Sequence, residues 1–237
     1  MSQDLKRFYK AATVDEAGGC WQVVLDGRPV RTPGRALQKV PTQALAIAMA
    51  KEWDRQGERI DIARMHLTRL ANVALDRTPD TRSALAEEVA RYCETDLTCH
   101  LDPNDSELRS RQEAAWQPLR AWSAEALGVA LRPVEGIMPA AQPDASLEAA
   151  RAHAAALDDF RLTGLVYGCG LFGSAILALA VERGHIEAGS AFEASLIDAA
   201  FQAERWGEDS EAKAAEAERR LEAEALGDWF AALSAPP

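Results

Sequence analysis

The chain has 237 residues, 48% of them hydrophobic and 27% charged, and its 37 acids against 26 bases give a formal net charge of −11. These proportions exclude wholesale disorder, and the acidity excludes a protein built to grip nucleic-acid phosphates or an anionic membrane surface. Four scattered cysteines (Cys20, Cys93, Cys99, Cys169) form no CxxC pair, and the first ten residues have no apolar core. Reduced thiols in a cytoplasmic protein are therefore expected, without metal or cofactor.

The opening segment reads as β. Cys20–Leu25 is rich in strand formers, Asp26-Gly27 is a tight-turn signal, and Arg28–Thr32 continues as a second arm that Pro29 confines to an edge or a strand start. Ala36–Val40 predicts a further strand and Phe8-Tyr9 an earlier one. A sheet this small must pack on something else.

Beyond Pro41 the pattern turns helical. Thr42 is a good N-cap, and Leu45, Met49 and Trp53 share one face before Gly57. A second helix carries Leu67, Leu70, Ala71 and Ala74. A third starts at Asp80 or Thr81 with Leu85, Val89 and Tyr92 inward. A fourth starts at Ser106-Glu107, with Leu108, Gln112, Ala115, Leu119, Trp122 and Ala126 inward, and stops at Gly128. The Pro- and Gly-rich stretch from Val129 to Asp144 is a long connection with one extended piece. Helix then resumes from Ser146 to Glu182 with a break at Asp158-Asp159, another runs from Ser190 to Arg205, and a last from Ser210 to Leu233 turns Leu221, Ala225, Leu226 and Trp229 inward. Leu162–Val181 holds twenty uncharged residues, but its four glycines suit a buried helix approached closely by its neighbours rather than a membrane span. The fold class is thus α+β: a small β-rich N-terminal domain over residues 1–41, its boundary extending as far as about 65, then a larger all-helical domain over 42–237.

No GxSxG, HExxH, P-loop or strand-linked GxGxxG is present, and the four histidines are far apart, reading as surface or capping residues. The pattern gives no catalytic site; an enzyme or small-molecule-binding protein on an unfamiliar scaffold is the alternative to a binding protein. Charge is uneven: from Glu187 onward there are twelve acids and four bases. Aromatic residues lie within polar runs at Trp53 and at Phe201–Asp209. Trp53, Trp116 and Trp122 read as structural core anchors, Trp122 with its indole N–H bonded nearby, whereas Trp206, at a joint inside the acidic run, suits an interface.

Eight stretches, in order, carry a resemblance. They are Lys6–Lys10, Leu25–Pro33, Val40–Thr42, Glu52–Gln56, Met65–Asn72, Tyr92–Leu97, Gln112–Trp116 with Pro118, and Gln202–Asp209. Together they resemble the ATP synthase α-subunit assembly chaperone family of mitochondria and alphaproteobacteria. Where that family carries consecutive acids before its aromatic-Gln pair, this chain reads Asp198-Ala-Ala-Phe-Gln202, so only Asp198 is carried over. The resemblance implies a two-part fold and a non-enzymatic function: holding the newly made α subunit of the ATP synthase catalytic head until the β subunit replaces the chaperone. Combined with the acidic run, it implies a partner-binding surface of Asp198, Phe201, Glu204, Trp206, Glu208 and Asp209. Nucleic acid and stable membrane insertion are not expected.

Overall fold

The computed structural model describes residues 5–104, 106–207 and 209–235. A small antiparallel sheet opens the chain: β1 (Ala12–Glu16), β2 (Trp21–Leu25), β3 (Arg28–Pro29) and β4 (Lys39–Val40), with β1 on one side of β2 and β3 and β4 both on the other. Two two-residue turns set the register. Gly18-Gly19 joins β1 to β2, and Asp26-Gly27 joins β2 to β3; all four residues have positive φ, which the twist of a tight hairpin demands. The expected strand at Phe8-Tyr9 is absent, because there the chain turns inward instead. Lys10 and Ala11 donate their N–H groups to the Asp26 carboxylate (2.9 and 3.0 Å), and the Tyr9 hydroxyl donates to the Trp53 carbonyl (2.6 Å). The strands after Asp26-Gly27 are shorter than expected, continued only by an isolated bridge between Arg31 and Leu37.

Among the described residues ten α-helices follow: α1 (Gln43–Asp54), α2 (His66–Asp76), α3 (Thr78–Glu94), α4 (Glu107–Leu127), α5 (Asp144–Ala156), α6 (Asp159–Phe172), α7 (Ala175–Glu182), α8 (Ala188–Ser195), α9 (Ile197–Trp206) and α10 (Ser210–Leu233). Two-residue strands β5 (His100–Leu101) and β6 (Val134–Glu135) pair in parallel beside α4, β6 being the extended piece of the long connection. Thr42 caps α1 as expected, accepting from Leu45 N–H at 3.2 Å, while its hydroxyl donates to the Ala232 carbonyl and so ties the start of α1 to the end of α10. The sheet and the helices share one hydrophobic cluster that runs from Tyr9 and Val23 through Leu45, Met65 and Phe172 to Trp229.

The apolar stretch forms two helices instead of one. Gly173 takes a left-handed φ of 65° and Ser174 caps α7. The fully buried Asp96 fixes the break, accepting from the Thr98 N–H and hydroxyl, the Ser174 hydroxyl and the Ile176 N–H; burial raises its pKa against those bonds. α10 crosses α6 at Gly164, where a Cβ would lie 2.8 Å from atoms of Trp229 and Phe230. That is the close approach the glycines imply. Among the described residues no helix is long and apolar enough to cross a membrane.

Other departures are local. α3 begins at Thr78 because Pro79 is well suited to a first turn, where its missing N–H costs nothing. The expected Ser190–Arg205 helix divides at Leu196, and beside the break the Trp116 indole N–H donates to the Ala194 carbonyl (2.9 Å). Ala126 and Leu221 (48% exposed) face outward, and Ala223 and Phe230 take the inner face of α10 with Leu226 and Trp229.

Candidate partner-binding surface

α9 lies across the N-terminal half of α4 and buries a single side chain, Phe201. Two guanidinium groups cover that ring, Arg205 at 4.3 Å and Arg111 at 5.3 Å from its centroid. Arg111 also grips both Glu204 oxygens (2.8 and 2.9 Å) and bonds Glu107 one turn earlier on α4 (2.6 Å). These bonds hold the Glu204 carboxyl below the usual range and push the Arg111 guanidinium up. Asp198 accepts from the Gln112 side chain at 2.7 Å, whose own oxygen accepts from Asp102 N–H at 2.8 Å, so one glutamine ties α9, α4 and the β5 end together.

Asp198, Phe201 and Glu204 therefore share one face of α9, as i, i+3 and i+6 spacing allows, and that face is directed at α4. Trp206 departs from it and is 74% exposed. Gly207, at φ 91°, ends the helix, and Asp209 caps α10, accepting from Glu211 N–H at 2.9 Å. Glu208 lies outside the described residues. Beyond the cap, every residue from 209 to 219 is exposed, so the first turns of α10 stand off the body. They are moored mainly by Arg219 to the Leu171 carbonyl, Arg220 to Glu193 (3.2 Å) and Glu218 to Arg64 (3.9 Å).

The structure thus brings three of the named residues together and engages their charges internally. Trp206 and the acidic α10 arm are what this region presents outward. Sequence reasoning missed Arg111 as the residue that holds α9. Its i, i+4 partner Glu107 was visible in the sequence, whereas Glu204, ninety-three positions on, was not.

The three structural tryptophans differ. Trp116 is fully buried with its indole bonded, and Trp53 is 7% exposed, edge-on to Tyr9 at 5.7 Å, its indole N–H without a partner among the described residues. Trp122 departs from expectation: it is half-buried and stacks flat on His185 at 4.4 Å, with no hydrogen bond from its indole among the described residues. His153 bonds the buried Glu182 at 3.0 Å, so it too is more than a surface or capping residue. Among the described residues no group of three or more His, Cys, Asp or Glu is arranged to hold a metal ion. Burial pushes the Cys93, Cys99 and Cys169 thiols up, Cys99 to about 12, so they are poor nucleophiles.

Comparison with known proteins agrees on one family. The profile described as ATP12 chaperone protein matches residues 6–124. The crystal structure of Atp12 from Paracoccus denitrificans superposes with a TM-score of 0.88 at 40% identity, covering 96% of this chain and 97% of that one. This chain belongs to the ATP12 chaperone family. The family consists of ATP synthase assembly chaperones. The Atu1473 protein of Agrobacterium tumefaciens matches with a TM-score of 0.91 at 33% identity, covering 97% of this chain and 86% of that one. The mitochondrial protein atp12 of Schizosaccharomyces pombe is 24% identical over 214 residues, 85% of this chain and 74% of the yeast one.

Proposed function

We propose that this chain binds the newly made α subunit of the ATP synthase catalytic head, shields the surface that subunit will bury in the complex, and yields it to the β subunit without chemistry. Membership of the ATP12 chaperone family supports the client, and the exposed Trp206 beside the solvent-exposed acidic α10 arm is the single observation that supports the site. An exposed tryptophan at a helix joint supplies a large, stiff contact area at small entropic cost. The arm supplies a negative field that steers a basic surface toward it. A holding chaperone needs complementarity and reversibility, and a client patch left bare would aggregate.

The test is light scattering of purified α subunit kept apart from its partners. The chain should suppress turbidity, and Trp206→Ala should weaken suppression about tenfold or more with an unchanged melting temperature. Trp206→Ala is cleaner than reversal of Glu204 or Asp209, which would also break the Arg111 clamp or the α10 cap. Equal turbidity with and without the chain would overturn the function. Full suppression by Trp206→Ala would move the site elsewhere.

A further inference from the structure

Among the described residues the edge of the N-terminal sheet is open. In the β1–β2 hairpin Asp26 N–H donates to Ala11 C=O (3.2 Å) and Ala17 N–H donates to Cys20 C=O (2.8 Å), at the two ends of one register. In an antiparallel ladder, residues that exchange hydrogen bonds alternate with residues whose polar groups point away. Ala11, Thr13, Asp15 and Ala17 therefore aim their backbone at β2, and Ala12, Val14 and Glu16 aim theirs outward. Among the described residues nothing pairs with that outer row.

A groove of about 390 Å³ runs beside the open edge, between β1 and α1, lined by Ala12, Val14, Ile47, Ala50, Lys51 and Asp54. Ile47 stands 40% exposed in it. Asp15 lies on the opposite, solvent face of β1, and Glu16 closes the strand. Neither acid makes an ion pair among the described residues. The two faces thus ask for different side chains: apolar ones toward Ile47 and Val14, basic ones beside Asp15.

We infer that β1 accepts an extended segment of a partner protein as an added strand, one that alternates apolar residues, turned into the Ile47 groove, with basic residues, turned beside Asp15. Main-chain bonds to Ala12, Val14 and Glu16 supply the pairing, and the two faces supply its selectivity. A second copy of this chain is the poorer occupant. Two β1 strands paired antiparallel about Val14 set Asp15 opposite Thr13 and Glu16 opposite Ala12, so neither acid meets a base and the pairing leaves four acids uncompensated on one short ladder. This surface is separate from the α9–α10 region and does not depend on what that region binds.

The probe is the capped peptide Lys-Val-Lys-Val-Lys-Val-Lys, with a Glu-Val counterpart as control, added to the full chain while amide exchange is followed residue by residue. The Lys-Val peptide should slow exchange at Ala12, Val14 and Glu16 at least tenfold, and the Glu-Val peptide should leave them unchanged. Val14→Pro removes an outward N–H and spares the β2 ladder, a position where strands tolerate proline. Ile47→Glu charges the groove and leaves the edge intact. Each should weaken the Lys-Val peptide at least tenfold with the melting temperature nearly unchanged for Ile47→Glu. The inference fails if the three amides stay fast, if both peptides act alike, or if Ile47→Glu binds as the parent does. It fails as well if the amides slow with chain concentration alone, which would mean self-pairing.

Discussion

Replacing Trp53 by arginine probes the junction of sheet and helices. Trp53 is 7% exposed, edge-on to Tyr9, and its carbonyl holds the Tyr9 hydroxyl. A tryptophan buries roughly 150–250 Å², so at about 25 cal/mol per Å² its removal from water contributes about 4–6 kcal/mol as an upper bound. The edge-on aromatic pair adds about 1 kcal/mol. No indole hydrogen bond is lost, because the indole N–H has no partner among the described residues. Arginine regains part of this by packing its stem, but its guanidinium must either enter the Leu45–Met49 side of the core or push α1 away from Tyr9. The expected loss is about 4 kcal/mol, a large share of the roughly 5–15 kcal/mol that holds a domain folded. In urea, with a slope of about 2 kcal/mol per molar, the midpoint should fall by roughly 2 M, whereas Trp53→Phe, which keeps the aromatic edge, should fall by less than half as much. A midpoint within about 0.5 M of the parent for Trp53→Arg would refute this placement of the ring.

Three further outcomes are expected. Glu182 is buried against Arg161 and His153, and although burial pushes its carboxyl up, the bonds from His153 and Arg161 outweigh this and hold it below the usual range. Its contribution is thus present above the ordinary glutamate value of about 4.3 and lost as pH falls through the lower folded value. Glu182→Gln should cost about 3 kcal/mol at neutral pH, the low end for breaking a buried pair because both partners keep some contact with water, and should flatten the acid limb of a melting-temperature profile. Asp96→Asn puts an amide NH2 among four donors, so chemical denaturation should show a loss of about 1–3 kcal/mol for the bonds that can no longer be made. Arg111→Gln releases Glu204 and removes one of the two guanidinium groups over Phe201, and should speed amide exchange several-fold within α9 while leaving α6 and α7 unchanged; uniform exchange across the chain would show that Arg111 is not what moors α9.

Much of the architecture is local and could be read along the chain. Thr42, Ser106 and Gly128 bound their helices because capping is settled by a few neighbouring atoms, and Asp26-Gly27 specifies its turn through φ alone. Gly18-Gly19 carried the same kind of signal for β1, yet Phe8-Tyr9 looked more like a strand, since aromatic propensity does not register that Asp26 captures the N–H groups of Lys10 and Ala11. The exposed Trp206 was legible as a tryptophan inside a polar run, and the outcome for its neighbours was not.

Sequence alone decided the order of sheet and helices, the caps, the acidic end and the glycines that let α10 close on α6, because each depends on residue type and short spacing. Only the tertiary structure decided which acids are engaged within the fold and which stand exposed. Arg111 meets Glu204 across ninety-three residues, and the buried carboxylate of Asp96 meets Ser174 across seventy-eight. Charge and hydrogen bonding act through space over a few ångströms, and distance along the chain carries no record of that.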